Sequence, residues 1–269
     1  MKTVGIIGNG FVGNAIHQNL KDRVEVKVYD VDHDRSPNTK EDVLDCDYIF
    51  ICLPTPMTEG GNCDVSYLAE FFKELPTSVK GTFVIKSTVP IGFSRYLASA
   101  KWNLKIVHNP EFLTANNSVE DFINCDRNVF GGPEEDTKDV RDFLYGLFPE
   151  WENVPSYLVS FNESEMIKYF SNSFLAFKIA YFNSVYETCN NFDSDYEVVR
   201  KAICDDDRIN THHTKVPGPD GELGFGGACL PKDINALINT LKQKGIDSSM
   251  FESVWNYNLK LRKENEFEV

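Results

Sequence analysis

Gly8-Asn9-Gly10-Phe11-Val12-Gly13 follows the apolar run Val4-Gly5-Ile6-Ile7 and opens a segment, Phe11 to Leu20, with helical spacing. In such a strand–G-x-G-x-x-G–helix unit the first glycine makes the tight turn and the second admits a pyrophosphate. The third lets helix and strand pack closely. The helix N-terminus then offers unpaired N–H groups and a partial positive charge to phosphate. A second strand, Val24 to Tyr29, ends in Asp30. An acid there accepts hydrogen bonds from ribose hydroxyls and repels a 2′-phosphate, which favours NAD over NADP. Gly8, Gly10, Phe11, Val12, Gly13 and Asp30 are therefore the first candidate cofactor residues.

Outward from this unit, strands are predicted at Tyr48 to Cys52, Thr82 to Ile85, Leu104 to Val107 and Arg127 to Phe130. Helices are predicted at Ser66 to Glu74, Ser94 to Ala100 and Glu134 to Phe148. Alternating strands and helices imply an α/β fold, a Rossmann-type doubly wound parallel sheet covered on both faces. Ligands of such sheets sit beyond the carboxyl ends of the strands. Those ends carry Pro54-Thr55-Pro56, Lys86-Ser87-Thr88-Val89-Pro90 and Asn109-Pro110-Glu111-Phe112. The expected organisation is a dinucleotide-binding domain over 1–155 and a mainly helical domain over 156–269.

Composition narrows the function classes. The chain has 269 residues, with 42% hydrophobic and 25% charged, which fits a soluble globular protein. A net charge of −14 argues against nucleic acid and against an anionic membrane as partners. The seven cysteines are odd in number and none pair as C-x-x-C, so neither a disulfide framework nor a zinc site is expected. The N-terminus leaves no room for a signal-peptide apolar region, and the run Tyr48 to Leu53 is too short to span a bilayer. A cytoplasmic protein is expected.

In the second half, Ser164 to Cys189 reads as a long helix. Ile167, Phe170, Phe174, Phe177, Tyr181 and Val185 form an apolar stripe along it, and Glu165, Lys168, Asn172, Ala176, Ala180 and Asn183 fall on another face. A further helix is predicted at Tyr196 to Ile203, and two closing ones at Ile234 to Gln243 and Phe251 to Lys263. Asp205-Asp206-Asp207 and His212-His213 are polar loop residues, since adjacent side chains rarely converge on one ion; no metal is expected. Gly224-Phe225-Gly226-Gly227-Ala228-Cys229-Leu230-Pro231-Lys232-Asp233 places one thiol in a glycine-rich turn, followed by a cation and a carboxylate. A thiol becomes a useful nucleophile when nearby positive charge or a base favours its thiolate.

These motifs, with K-S-T-V-P-I-G-F from Lys86, N-P-E-F-L from Asn109, E-x-x-K-x-x-x-N from Glu165 and D-D-R-I from Asp206, resemble the UDP-glucose/GDP-mannose dehydrogenase family. The resemblance runs through nearly the whole chain in order. It implies NAD-dependent oxidation of the C6 alcohol of a nucleotide sugar, UDP-glucose foremost, to the carboxylate in two steps. By resemblance Cys229 is the nucleophile that carries a thiohemiacetal and then a thioester. Lys168 and Asn172 stabilise the developing oxyanion, and Asp233 acts as a base through water. Thr88 and Glu111 organise that water. Phe112, Leu113, Phe225 and Gly227 line the sugar, while Pro54, Thr55, Thr88 and Lys232 join the cofactor residues. Arg208 matches an arginine that reaches the neighbouring subunit's substrate, so a homodimer is implied.

The chain departs from the family pattern in three places. Ala115 stands where a second glutamate is usual, and the segment between Asp30 and Asp47 is short. Relatives are expected to continue into a second α/β domain, and this chain stops before it. Without that domain, two other readings follow: a dehydrogenase of a smaller sugar or hydroxy acid, or an idle NAD-binding module.

Overall fold

The structure is a computed structural model that describes residues 2–76, 79–100, 104–114 and 116–262. Among these residues, β1 (Thr3–Ile7), β2 (Glu25–Tyr29), β3 (Tyr48–Ile51), β4 (Thr82–Ile85), β5 (Ile106–His108), β6 (Asn128–Gly131) and β7 (Ser156–Val159) form one sheet. Its order is β2-β1-β3-β4-β5-β6-β7. The pairs from β2 to β5 are parallel, as is β6–β7, but β6 runs antiparallel to β5. The all-parallel expectation is thus corrected at that seam, where His108 pairs with Gly131. Strand β7 was not foreseen, because Ser156-Tyr157-Leu158-Val159 is only half-buried and lacks a strong apolar signal.

The helices are α1 (Phe11–Leu20), α2 (Lys40–Leu44), α3 (Ser66–Lys73), α4 (Phe93–Ser99), α5 (Ser118–Ile123), α6 (Glu134–Leu147), α7 (Phe161–Asn191), α8 (Tyr196–Cys204), α9 (Leu230–Gln243) and α10 (Ser249–Leu261). Strands β3 and β4 are buried along their whole length, as expected for strands covered on both faces. Alternation of side chains divides the core accordingly. Val4, Ile6 and Phe50 pack with Ala15, Ile16 and Leu20 of α1. Ile7, Ile49 and Ile51 pack with Val43 of α2 and Leu68 and Phe71 of α3.

The chain divides into two compact units. One comprises 1–55 and 64–168, the other 56–63 and 169–269. The first holds the sheet. The second contains most of α7, together with α8, α9 and α10, and has its own core around Phe182, Tyr196 and Val216. Among the described residues no helix is long and apolar enough to cross a membrane.

Helix α7 buries the face that carries its polar residues. Glu165, Lys168, Asn172, Ala176, Ala180 and Asn183 are all buried. The aromatic stripe is instead largely at the surface, with Phe174 67% and Tyr181 58% exposed. Polar groups are tolerated inside only when they are hydrogen-bonded, and each of the four here has a partner. Glu165 accepts N–H bonds from Gly92 (2.5 Å) and Ser94 (2.9 Å) at the start of α4. Lys168 donates to Glu111, Asn172 to Asp233, and Asn183 accepts from Gly224 N.

Candidate active site

In the sheet unit, the dinucleotide loop has the geometry its glycines suggest. Gly8 has φ +89°, and a Cβ there would lie 2.8 Å from Cys52 O. A Cβ on Gly13 would lie 1.9 Å from Gly8 O, so helix α1 sits directly on the loop. A Cβ on Gly10 would meet nothing within 4 Å. That open space lies at the N-cap of α1, which has no side-chain cap. Open space over uncapped N–H groups fits a pyrophosphate. Asp30 accepts from Asn9 N at 2.5 Å and Asp32 N at 2.9 Å. These bonds hold the acid at the end of β2, and its remaining lone pairs can take ribose hydroxyls. Phe11 is exposed, Val12 half-buried, Pro54 exposed, and Thr55 and Thr88 buried.

The same unit brings Glu111 and Lys168 together, although 57 residues separate them. Lys168 Nζ donates to Glu111 Oε1 at 2.8 Å and to Glu111 O at 2.7 Å. Both side chains are nearly inaccessible. Leu113 N donates to Glu111 Oε2 at 2.7 Å. Burial alone would raise the Glu111 carboxyl. The Lys168 charge and hydrogen bond, the Leu113 N–H and the Lys86 charge outweigh it and hold the carboxyl below its usual range. Phe112 lies beneath two cations, Arg127 at 4.2 Å and Lys168 at 5.3 Å from its centroid. The position of Ala115 lies outside the described residues.

Behind Glu111, two buried groups escaped the sequence reading. Lys86 Nζ donates to Asn109 Oδ1 at 2.8 Å, and Asn109 Nδ2 donates to Val129 O at 2.7 Å, across the antiparallel seam. Burial brings the Lys86 ammonium down to about 8. His108 shares a 2.6 Å hydrogen bond with Ser164, and burial takes it down to about 3. Lys86 lies in a motif quoted above and His108 immediately before one, but nothing in a sequence marks a lysine or histidine as inward-facing.

In the helical unit, α9 starts earlier than expected, at Leu230. The Pro231-Lys232-Asp233 run is therefore its first turn, with proline in a position where no N–H is needed. Cys229 occupies the N-cap, and its carbonyl accepts from Asp233 N at 2.9 Å. Asp233 is fully buried; Asn172 Nδ2 reaches its Oδ2 at 2.6 Å and Lys232 Nζ its Oδ1 at 2.5 Å. The glycine-rich loop before Cys229 is fixed from outside. Gly224 N donates to Asn183, and Phe225 N donates to Asn258 Oδ1 at 2.8 Å. A Cβ on Gly226 would lie 2.1 Å from Arg262 Nη1. Asn258 and Arg262 of the α10 region were missed, since their role appears only once α10 is placed beside the loop. Gly227 has φ +75° and open space beside it. Phe225 is buried next to Trp255. Arg208 is fully at the surface, its side chain 88% exposed and paired with Asp206.

Comparison with known proteins adds a second line. Residues 35–149 match the NAD binding domain of the UDP-glucose/GDP-mannose dehydrogenase family, and residues 162–260 match its central domain. A UDP-glucose 6-dehydrogenase of Rickettsia bellii is 35% identical over 234 residues, covering 83% of this chain and 52% of that protein. UDP-glucose 6-dehydrogenase TuaD of Bacillus subtilis is 30% identical over 252 residues, covering 90% and 53%. The solved structure of a UDP-glucose dehydrogenase from Pyrobaculum islandicum superposes with a TM-score of 0.80 at 26% identity, covering 97% of this chain and 68% of that one. The chain thus spans about half the length of the curated relatives it matches.

Proposed function

This chain belongs to the UDP-glucose/GDP-mannose dehydrogenase family, with NAD as cofactor, and from that premise we propose that it oxidises the C6 alcohol of a nucleotide sugar, UDP-glucose foremost, to a carboxylate. The observation that carries the reading is the buried Asn172–Asp233–Lys232 arrangement on the turn that follows Cys229. Gly8, Gly10, Phe11, Val12, Gly13, Asp30, Pro54, Thr55, Thr88 and Lys232 hold the cofactor. NAD, when bound, accepts the electron pair removed in each oxidation.

The chain's own residues do the rest. Asp233 takes the hydroxyl proton through a water, and Lys168 and Asn172, one turn apart on α7, donate to the substrate oxygen. The Cys229 sulfur adds to the aldehyde carbon, giving a thiohemiacetal whose oxidation leaves a thioester. Water then adds to the thioester carbonyl, aided by Glu111 and Thr88, releasing the carboxylic acid and the thiol. Phe112, Leu113, Gly227 and the backbone of Phe225 border the sugar. Two equivalents of NAD are consumed per sugar.

The exposed aromatic stripe of α7 and the exposed Arg208 support a homodimer in which Arg208 reaches the partner's substrate. The charge of −14 and the lack of a membrane-crossing helix among the described residues support a cytoplasmic location. A dehydrogenase of a smaller sugar or hydroxy acid is the second reading.

NADH formation screened over UDP-glucose, UDP-galactose, UDP-N-acetyl sugars and GDP-mannose tests the proposal. Two NADH per sugar are expected, and Cys229→Ser should lower complete turnover by on the order of a thousandfold or more. Undiminished two-step turnover by that variant would sink the role of Cys229. Turnover of small hydroxy acids with none of the nucleotide sugars would favour the second reading.

A further inference from the structure

Lys178 lies on α7, in the helical unit, and its ammonium is spent on a single loop. Nζ donates to Ile209 O at 2.6 Å, to Asn210 Oδ1 at 2.8 Å and to Asn210 O at 3.3 Å. A lysine has three N–H donors, so all of them serve two adjacent residues of a distant segment. A lysine on a helix face ordinarily extends into water, whereas this one is half-buried. The loop is bent to receive it. Asn210 has φ +53°, in the left-handed region that asparagine tolerates, and its Oδ1 also accepts from His212 N at 3.1 Å. Ile209 packs against the core of Phe182 and Tyr196. Farther along, Thr214 O accepts from Tyr196 Oη at 2.5 Å and Thr214 Oγ1 from Arg200 at 3.1 Å.

Arg208 stands immediately before these tied residues and is the opposite case. Its side chain is exposed, and its Nε donates to Asp206 Oδ1 at 2.9 Å and Oδ2 at 3.1 Å. An exposed pair of this kind adds little stability; what it fixes is the direction of the guanidinium. We infer that Lys178 is the positioning residue of Arg208: it clamps the two carbonyls that follow the arginine, so the guanidinium projects from a fixed backbone. This rests on the reading of Arg208 as the arginine that reaches the partner's substrate. An arginine on a free loop would lose the loop's conformational freedom on binding, whereas one on a clamped loop loses only that of its side chain. The clamp acts on substrate binding and not on the oxidation steps, since all three donors of Lys178 are spent on the loop.

The test has two readouts, and the first needs no substrate. In amide hydrogen exchange of the full chain, Lys178→Met should speed exchange over residues 209–212 about tenfold. Lys178→Arg, which keeps the donors, should exchange nearly as the wild type does. Lys178→Gln replaces the methionine variant if near-ultraviolet circular dichroism shows that variant to be unfolded. In NADH formation with UDP-glucose, Arg208→Ala should raise KM. Lys178→Met should raise KM about tenfold with kcat within about twofold of the wild type, and Lys178→Arg should recover most of the difference. The double variant should have the KM of Arg208→Ala alone, because the clamp then has nothing left to position. Unchanged exchange in the methionine or glutamine variant overturns the inference. So does an unchanged KM there beside a raised one in Arg208→Ala, a fall in kcat as large as the rise in KM, or a double variant in which the two effects multiply. An unchanged KM in Arg208→Ala overturns the reading of Arg208 and the inference with it. A wild type that oxidises no nucleotide sugar overturns the proposed activity itself, and the inference falls with that too.

Discussion

Each unit of the molecule buries one ion pair of candidate active-site residues, and the two are built in opposite ways. In the sheet unit, Glu111 comes from the loop after β5 and Lys168 from α7, so the pair exists only after the chain has folded. In the helical unit, Lys232 and Asp233 are neighbours on the first turn of α9, and folding adds Asn172 and the burial. A pair made by tertiary structure depends on two distant segments staying packed, whereas a pair made by one helical turn keeps its partner when one contact is lost. The first should therefore be the more costly to disturb.

The largest effect is expected from Lys168→Met, which strands the Glu111 carboxylate in the interior and should cost about 3–5 kcal/mol in chemical unfolding. Asp233→Asn, which preserves the hydrogen-bonding shape, should cost well under half of that; equal losses would break the contrast between the two pairs. Next comes Glu165→Ala, which leaves the Gly92 and Ser94 N–H groups unmet and should cost about 2–3 kcal/mol. The glycine pair sharpens the comparison within the sheet unit. Gly13→Ala, whose Cβ meets Gly8 O, should cost about 1–3 kcal/mol. Gly10→Ala should cost about 1 kcal/mol or less while weakening NAD about tenfold in a binding titration.

The smallest is a pH effect. His108 is driven from 6.5 to about 3 by burial, so the folded state resists a proton that the unfolded chain takes up. Stability from this residue is full above 6.5 and is lost as pH falls towards 3. The first unit of acidification below 6.5 should cost about 1 kcal/mol. His108→Gln should flatten that slope; an unchanged slope would show that other groups carry it.

Much of the sheet unit was legible because its signals are local. Glycines in a fixed spacing, apolar runs of strand length and Asp30 after a strand each carry their meaning within a few residues. The antiparallel seam was not legible, since the direction of β6 depends on where the preceding loop and α5 carry the chain. Helix α7 was legible as a helix, but which of its faces lies inside was not. Its aromatic stripe has the pattern of a core face, but Glu165, Lys168, Asn172 and Asn183 each find a partner in a distant segment, and those partners reverse which side is inside. Helix α9 starts at Leu230, four residues before the expected Ile234, and its first turn carries Pro231, a position to which proline is well suited.

What the sequence determined by itself was the fold class, the dinucleotide loop and the family, because these rest on residue types at short, fixed separations. Tertiary structure alone decided that Glu111 meets Lys168, that Asn172 meets Asp233, and that Asn258 and Arg262 brace the glycine loop. It also set Cys229 at the cap of a helix whose first turn carries Lys232. A buried charge is stable only beside a partner, and which partner it finds depends on contacts between segments that no local pattern encodes.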